Sequence, residues 1–122
     1  METNIVEQNK LIAVFMGGLY TLSFELKKGE MWVPIHGICR YDTIESGRGQ
    51  TLQYHRSWDW IMPVVEKIEN FNHSATLFII EDERCHIDTQ NGFEIDSVGH
   101  TKIEAVYNAC IEFIKWYNNQ IA

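Results

Sequence analysis

Apolar positions along this chain change their spacing several times, and each change marks an element. Ile5, Ile12, Val14, Phe15 and Met16 recur with polar residues between them, which predicts a first helix over Ile5–Met16, ended by Gly17-Gly18. Leu22, Phe24 and Leu26 then alternate with polar residues, Lys27-Lys28-Gly29 reads as a turn, and Met31, Val33 and Ile35 alternate again. That pattern predicts a hairpin, with Pro34 confining the second strand to an edge or a bulge. From Asp42 to Gln53 the composition turns polar around Gly47 and Gly49, as expected of a surface loop.

A second helix is expected from Ser57 to Phe71, with Ser57 as N-cap, Asp59 as a first-turn anion and Pro63 making the first turn kinked or irregular. Steps of 100° place Trp58, Ile61, Met62, Val65 and Ile68 on its main face and Trp60, Val64 and Phe71 on a stripe beside it. Three short strands follow. Phe78, Ile80, Cys85, Ile87, Phe93 and Ile95 must share a face if the sheet is to bury one side. A two-residue turn at Asn91-Gly92 breaks that match. A three-residue loop, Gln90-Asn91-Gly92 with Gly92 left-handed, pairs Ile87 with Ile95 and keeps it, and a turn at Asp82-Glu83 pairs Ile80 with Cys85.

The third helix is the clearest element. Thr101 and Glu104 have the spacing of a capping box, and Ile103, Val106, Tyr107, Cys110, Phe113, Ile114 and Tyr117 fall on one face. Ala105, Ala109 and Trp116 form a flanking stripe at the same offsets as Trp60, Val64 and Phe71, so the two stripes are expected to interdigitate. The expected fold class is α+β: a short antiparallel three-stranded sheet, extendable by the N-terminal hairpin, packed with three helices on one face. A single domain over 1–122 is the simplest organisation for this length.

Three blocks carry a resemblance. Leu11–Gly18, Tyr54–Ile68 and Thr101–Asn118 are similar to small bacteriophage and prophage proteins without an assigned reaction, a group similar to the phage αβα-sandwich domain. The resemblance implies an order of helix, variable segment, helix, strands and helix, and it brings no catalytic residues. The polar sheet face from Arg84 to Asp96 departs from a sandwich with helices on both sides.

Composition narrows the function. The formal net charge is −7, which argues against general nucleic-acid binding, since that rests on neutralising phosphates. Residues 27 to 56 carry five basic groups against three acidic ones, so the remainder of the chain carries −9. The acidic start lacks a signal-peptide pattern, and the longest apolar stretch, Leu11–Leu19, is too short and too glycine-interrupted to span a bilayer. These features point to the cytoplasm of a bacterial host. Three cysteines at no regular spacing read as reduced thiols.

Four constellations carry candidate chemistry. His86, Asp88, Glu94 and Asp96 are expected on one sheet face, His86 opposite Asp96 and Asp88 opposite Glu94, where opposed carboxylates call for water or a cation. Arg48, His55 and Arg56 precede a helix N-terminus, a possible small-anion site that also reads as an exposed loop. His55, Ser57 and Asp59 invite a triad reading, but the helix start already uses Ser57 and Asp59, and no nucleophile elbow is present. Cys39, Cys85, His86 and His36 are zinc-type ligands without zinc-type spacing. Trp60 and Trp116, on the flanking stripes, are candidates for helix packing or for a homodimer interface.

Nothing in the pattern demands a cofactor. The expectation is a phage-type accessory protein, a non-enzymatic module that binds another protein. The alternatives are an acidic nucleic-acid mimic acting on a host DNA-binding protein and a metal-dependent enzyme using the sheet-face carboxylates.

Overall fold

In a computed structural model, residues 2–20, 26–45, 49–70, 77–89 and 92–121 are described, and they fall into two compact units, Met1–Gln53 and Tyr54–Ala122. The architecture is α+β, with three helices and two antiparallel sheets of two and three strands.

The first unit opens with helix α1, Glu2–Phe15, which starts three residues earlier than its apolar spacing implies. It ends at Gly17-Gly18 as expected: the Gly18 amide donates to the Ala13 carbonyl and the Gly17 amide to that of Val14, the paired bonds that close a helix C-terminus. Ile12 and Ala13 are buried, and the side-chain amide of the buried Asn9 donates to the Leu52 carbonyl at 3.2 Å.

The hairpin of this unit differs from the expected one. Strand β1, Glu30–Val33, pairs with β2, Gly37–Arg40, in the register Met31↔Cys39 and Val33↔Gly37. The alternation read over Met31–Ile35 stops at Val33 because Pro34 takes the second position of a turn, closed by the His36 amide on the Val33 carbonyl at 3.2 Å. Of the strand expected over Leu22–Leu26, residues 22–25 lie outside the described residues, and Leu26 is not in a strand. The segment from Asp42 is likewise not surface loop to its end. Thr51 and Leu52 are buried and Thr51 bridges to Arg40, because Leu52 supplies apolar volume to the core.

In the second unit, helix α2 spans Trp58–Glu69 with Pro63 inside it. Ser57 has the extended backbone of an N-cap but makes no side-chain cap bond. Instead the amides of both Trp60 and Ile61 converge on the Ser57 carbonyl, tightening the first turn. Trp60, Ile61, Val64, Val65 and Ile68 are buried, an arc of about 140° at 100° per residue. Trp58, expected in the core, is 39% exposed, and Met62 is exposed with it. At 100° per residue Trp58 falls about 20° and Met62 about 60° past the edge of that arc. Phe71, the end of the expected stripe, lies outside the described residues.

Strands β3 (Leu77–Glu81), β4 (Arg84–Asp88) and β5 (Glu94–Val98) form the three-stranded sheet in that order. The register is the one the apolar match required, with Ile80 opposite Cys85 and Ile87 opposite Ile95. Gly92 sits at φ +82, and the Thr89 amide donates to the Phe93 carbonyl at 3.1 Å, closing the three-residue loop. Cys85, Ile87, Ile95 and Ser97 face inward and are buried.

Helix α3, Lys102–Ile121, packs across β4 and β5 with α2 beside it. It runs four residues past the expected end at Tyr117. The Glu104 amide donates to Thr101 Oγ1 at 3.2 Å, as a capping box requires, but Glu104 Oε1 accepts from the His100 amide rather than from Thr101. The helix start is held close to the sheet: a Cβ on Gly99 would lie 2.7 Å from the Ala105 nitrogen, and the Asn108 side chain donates to the Val98 carbonyl at 3.0 Å.

Candidate functional site

Period-2 alternation sends Cys85, Ile87, Ile95 and Ser97 toward α3, so Arg84, His86, Asp88, Glu94, Asp96 and Val98 must occupy the other face. That face is open. Arg84, Glu94, Asp96 and Val98 are exposed, with Val98 at 61%, and His86 and Asp88 are half-buried. Ile79, opposite His86 on β3, is also exposed.

The ladder bonds determine how tightly these groups are held together. The Thr89 amide bonds to Phe93 and the Gly99 amide to Glu83, so by alternation 87:95 and 85:97 are hydrogen-bonded pairs. The outward pairs Asp88↔Glu94, His86↔Asp96 and Arg84↔Val98 are therefore the close, non-hydrogen-bonded ones, in which side chains stand nearest. Ligand atoms of His86, Asp88 and Glu94 all lie within 4.8 Å of one another. Among the described residues neither Asp88 nor Glu94 has a cationic partner. The fourth expected member, Asp96, is not part of the cluster. Its Oδ1 lies 3.9 Å from Arg84 Nε, a diagonal cross-strand pair that draws it away. Beyond this pair the β3–β4 turn opens into a hollow of about 410 Å³ lined by Glu81, Asp82, Glu83, Arg84, Val98 and Gly99.

The other candidates are placed differently. Arg48 lies outside the described residues, while His55 and Arg56 occupy a turn before α2. The His55 ring stands edge-on to Tyr107 with centroids 6.3 Å apart; burial, helped by the Arg56 charge, holds its pKa below the usual imidazole value. A neutral imidazole beside an exposed arginine, with the Trp60 amide committed to Ser57, makes a poor anion cradle. The zinc-type residues do not assemble either. Among the described residues the one group placed to share an ion is His86, Asp88 and Glu94. Cys39 donates to the Gly37 carbonyl and accepts from Gln50. Burial pushes the Cys85 thiol up to about 12 and that of Cys110 well above its usual value, so both behave as small core hydrophobes rather than thiolate ligands.

Trp60 is 9% exposed and edge-on to Tyr54 at 5.1 Å. Trp116 is half-buried, stacked on Phe93 at 4.7 Å and tilted against Phe113. Both indoles find aromatic cover within their own unit, which leaves Trp58 as the exposed indole of α2. One functionally suggestive feature was not singled out by sequence reasoning and one escaped it. Alternation from Ile95 already sends Val98 outward, and the register places it opposite Arg84. Ile35 reads as a strand residue, yet it lies in a turn at φ +77; Pro34 followed by a second apolar strand was the available signal.

Compared with known protein families, curated proteins and solved structures, the chain matches none. Among the described residues no helix is long and apolar enough to cross a membrane.

Proposed function

We propose that the chain is a non-enzymatic binding module whose working surface is the open face of the β3–β4–β5 sheet, and that it binds another protein. The observation that supports this is the sheet face itself, left uncovered, with Ile79 and Val98 exposed on either side of an ordered set of charges. Apolar contacts beside oriented charges are what a specific protein contact uses. Asp88, Glu94 and Asp96 against Arg84 leave the face acidic, so the partner meets it with basic side chains. Set beside the resemblance to phage proteins, this describes an accessory protein that acts by occupying a host component.

The test is capture from a bacterial lysate on immobilised protein, followed by mass spectrometry. Wild type retains a partner that salt releases, and Ile79→Lys and Val98→Lys lose it while Glu112→Lys on exposed α3 surface keeps it. Equal capture by all four proteins would sink the reading. Competition by duplex DNA for the captured partner identifies the nucleic-acid mimic instead.

A second reading has its own observation. The convergence of His86, Asp88 and Glu94 to within 4.8 Å suits a divalent ion, and an imidazole beside two carboxylates favours a transition metal over calcium. An ion there relieves the repulsion between Asp88 and Glu94. Equilibrium dialysis with zinc or manganese tests it: one bound equivalent, lost in Asp88→Asn and Glu94→Gln and kept in Asp96→Asn, supports the site. Absence of uptake by wild type rejects it.

A further inference from the structure

Resting on the protein-binding reading of the same sheet, we propose that the partner docks on the free edge of β3. An extended segment of the partner adds there as a fourth strand, its apolar side chains turned toward the helices and its basic ones onto the open face.

The ladder dictates which backbone groups that edge offers. Because 85:97 and 87:95 are the hydrogen-bonded pairs of β4 and β5, Arg84, His86 and Asp88 turn their amides and carbonyls toward β3, where they stand opposite Glu81, Ile79 and Leu77. Phe78 and Ile80 therefore point theirs away from the sheet. Among the described residues these outward groups meet no partner. A row of unpaired donors and acceptors is a template for another strand. A helix or a flat apolar surface laid there leaves them unmet.

The side chains point to the same edge. Ile80 stands opposite Cys85 and so faces inward, in the row that runs on to Ser97. Cys85 and Ser97 are buried, but Ile80 is only half-buried. The inner layer is thus closed over β4 and β5, where α3 lies, and unfinished at β3. An apolar residue beside Ile80 completes the row. On the outer face Ile79 is 43% exposed, and Glu81, Asp82 and Glu83 beyond it are exposed with no cationic partner among the described residues. A lysine or arginine at the outward positions of the added strand lays its stem along Ile79 and its charge beside those carboxylates.

The other edge of the sheet does not offer this. On β5 the Val98 carbonyl already accepts from the Asn108 side chain, and Ile95 is buried, so no apolar row is left to extend. A second copy is a poor occupant of the β3 edge. Residues 77 to 81 contain no basic side chain, and each copy brings a charge of −7.

The probe is a capped peptide of about six residues, the usual length of a strand, alternating valine and lysine. It is titrated into the isotope-labelled full chain, with amide hydrogen exchange read by NMR. Saturable binding is expected to slow exchange at the Ile80 amide, while the Ile79 amide, already in the ladder, changes little. With valines inward, the valine backbones exchange the bonds with Phe78 and Ile80. N-methylation of the valine amides should therefore weaken binding by about tenfold or more, and N-methylation of the lysine amides, on the far edge, should not. Both methylated peptides carry the same charge, so equal binding by the two means mere attraction to an acidic surface and overturns the proposal. So does no binding, slowed exchange at Asp96 instead of Ile80, or slowed exchange at Ile80 through self-association without peptide. Ile80→Pro removes an outward donor that the ladder does not use; with its circular dichroism unchanged, it should lose the peptide. If Ile79→Lys abolishes capture from lysate but the peptide does not bind wild type, the sheet-face reading stands and strand addition is refuted.

Discussion

Single atoms buried in the second unit make the sharpest predictions. Ser97 faces the core of the sheet–helix layer, and among the described residues its Oγ has no hydrogen-bond partner. A buried hydroxyl that gave up water without replacing it destabilises the fold. Ser97→Ala is therefore expected to raise stability by about 1 kcal/mol, read as a higher urea midpoint at unchanged m value. An equal or lower midpoint means the hydroxyl is bonded after all. Across the ladder from Ser97 stands Cys85, and Cys110 is buried on α3. Since the thiolate is the reactive form and burial raises both thiols, neither reacts with a thiol reagent in the native state at neutral pH, and both do in denaturant. Fast native labelling of two thiols refutes their burial. Neither property could be read from sequence alone. Alternation with Ile95 sends Ser97 inward, but whether its hydroxyl finds a partner there depends on packing, and a cysteine's reactivity is a matter of surroundings rather than spacing.

Elements were legible where two constraints agreed and illegible where one acted alone. In the strands, apolar alternation and loop length had to be satisfied together. That combination selected the three-residue loop with left-handed Gly92 and hence the convergence of His86, Asp88 and Glu94. Asp96 was beyond reach of the same reasoning, because its diversion to Arg84 depends on a diagonal contact that pairing rules do not rank. In α2 helical period alone could not tell which edge of a broad apolar surface is buried, so Trp58 was misplaced. In the first unit alternation alone spread the strand over Pro34. Two glycines separate backbone strain from crowding. At Gly92 an added Cβ meets nothing within 4 Å among the described residues but the backbone is left-handed, so Gly92→Ala costs about 1 kcal/mol, from conformation. At Gly99 φ is not left-handed, yet a Cβ would lie 2.7 Å from the Ala105 nitrogen and 2.9 Å from the Glu104 carbonyl carbon. Backbone atoms cannot rotate away, so α3 must shift and Gly99→Ala is the costlier change. Equilibrium unfolding of the two variants ranks them, and the reverse order contradicts the close seating of the α3 start on the end of β5.

At the scale of the whole chain, stability should fall with acid through two histidines, one in each unit. Burial lowers the pKa of His36 in the first unit, and burial with the Arg56 charge lowers that of His55 in the second, both from an ordinary 6.5. A lowered imidazole pKa means that the folded state resists the proton. Above 6.5 neither state binds it and the groups contribute no slope. Below 6.5 the unfolded chain takes the proton first, so each histidine subtracts stability as pH falls toward its lower folded value, after which the loss levels off. The sign is the opposite of that for a histidine held by a carboxylate. Burial acts on both rings, and the Arg56 charge acts on His55 in addition. Urea unfolding measured from pH 7.5 down to about 5, where imidazole titration dominates, is expected to show midpoints that decline below about 6.5. His55→Gln and His36→Gln should each flatten part of that decline, each measured against wild type at the same pH to remove the contribution of the acidic surface. The −7 net charge pulls the other way, because mild acid relieves repulsion among carboxylates. A variant lacking both histidines should therefore become flat or slightly more stable toward pH 5. A double variant that declines as steeply as wild type would place the acid sensitivity outside these two rings.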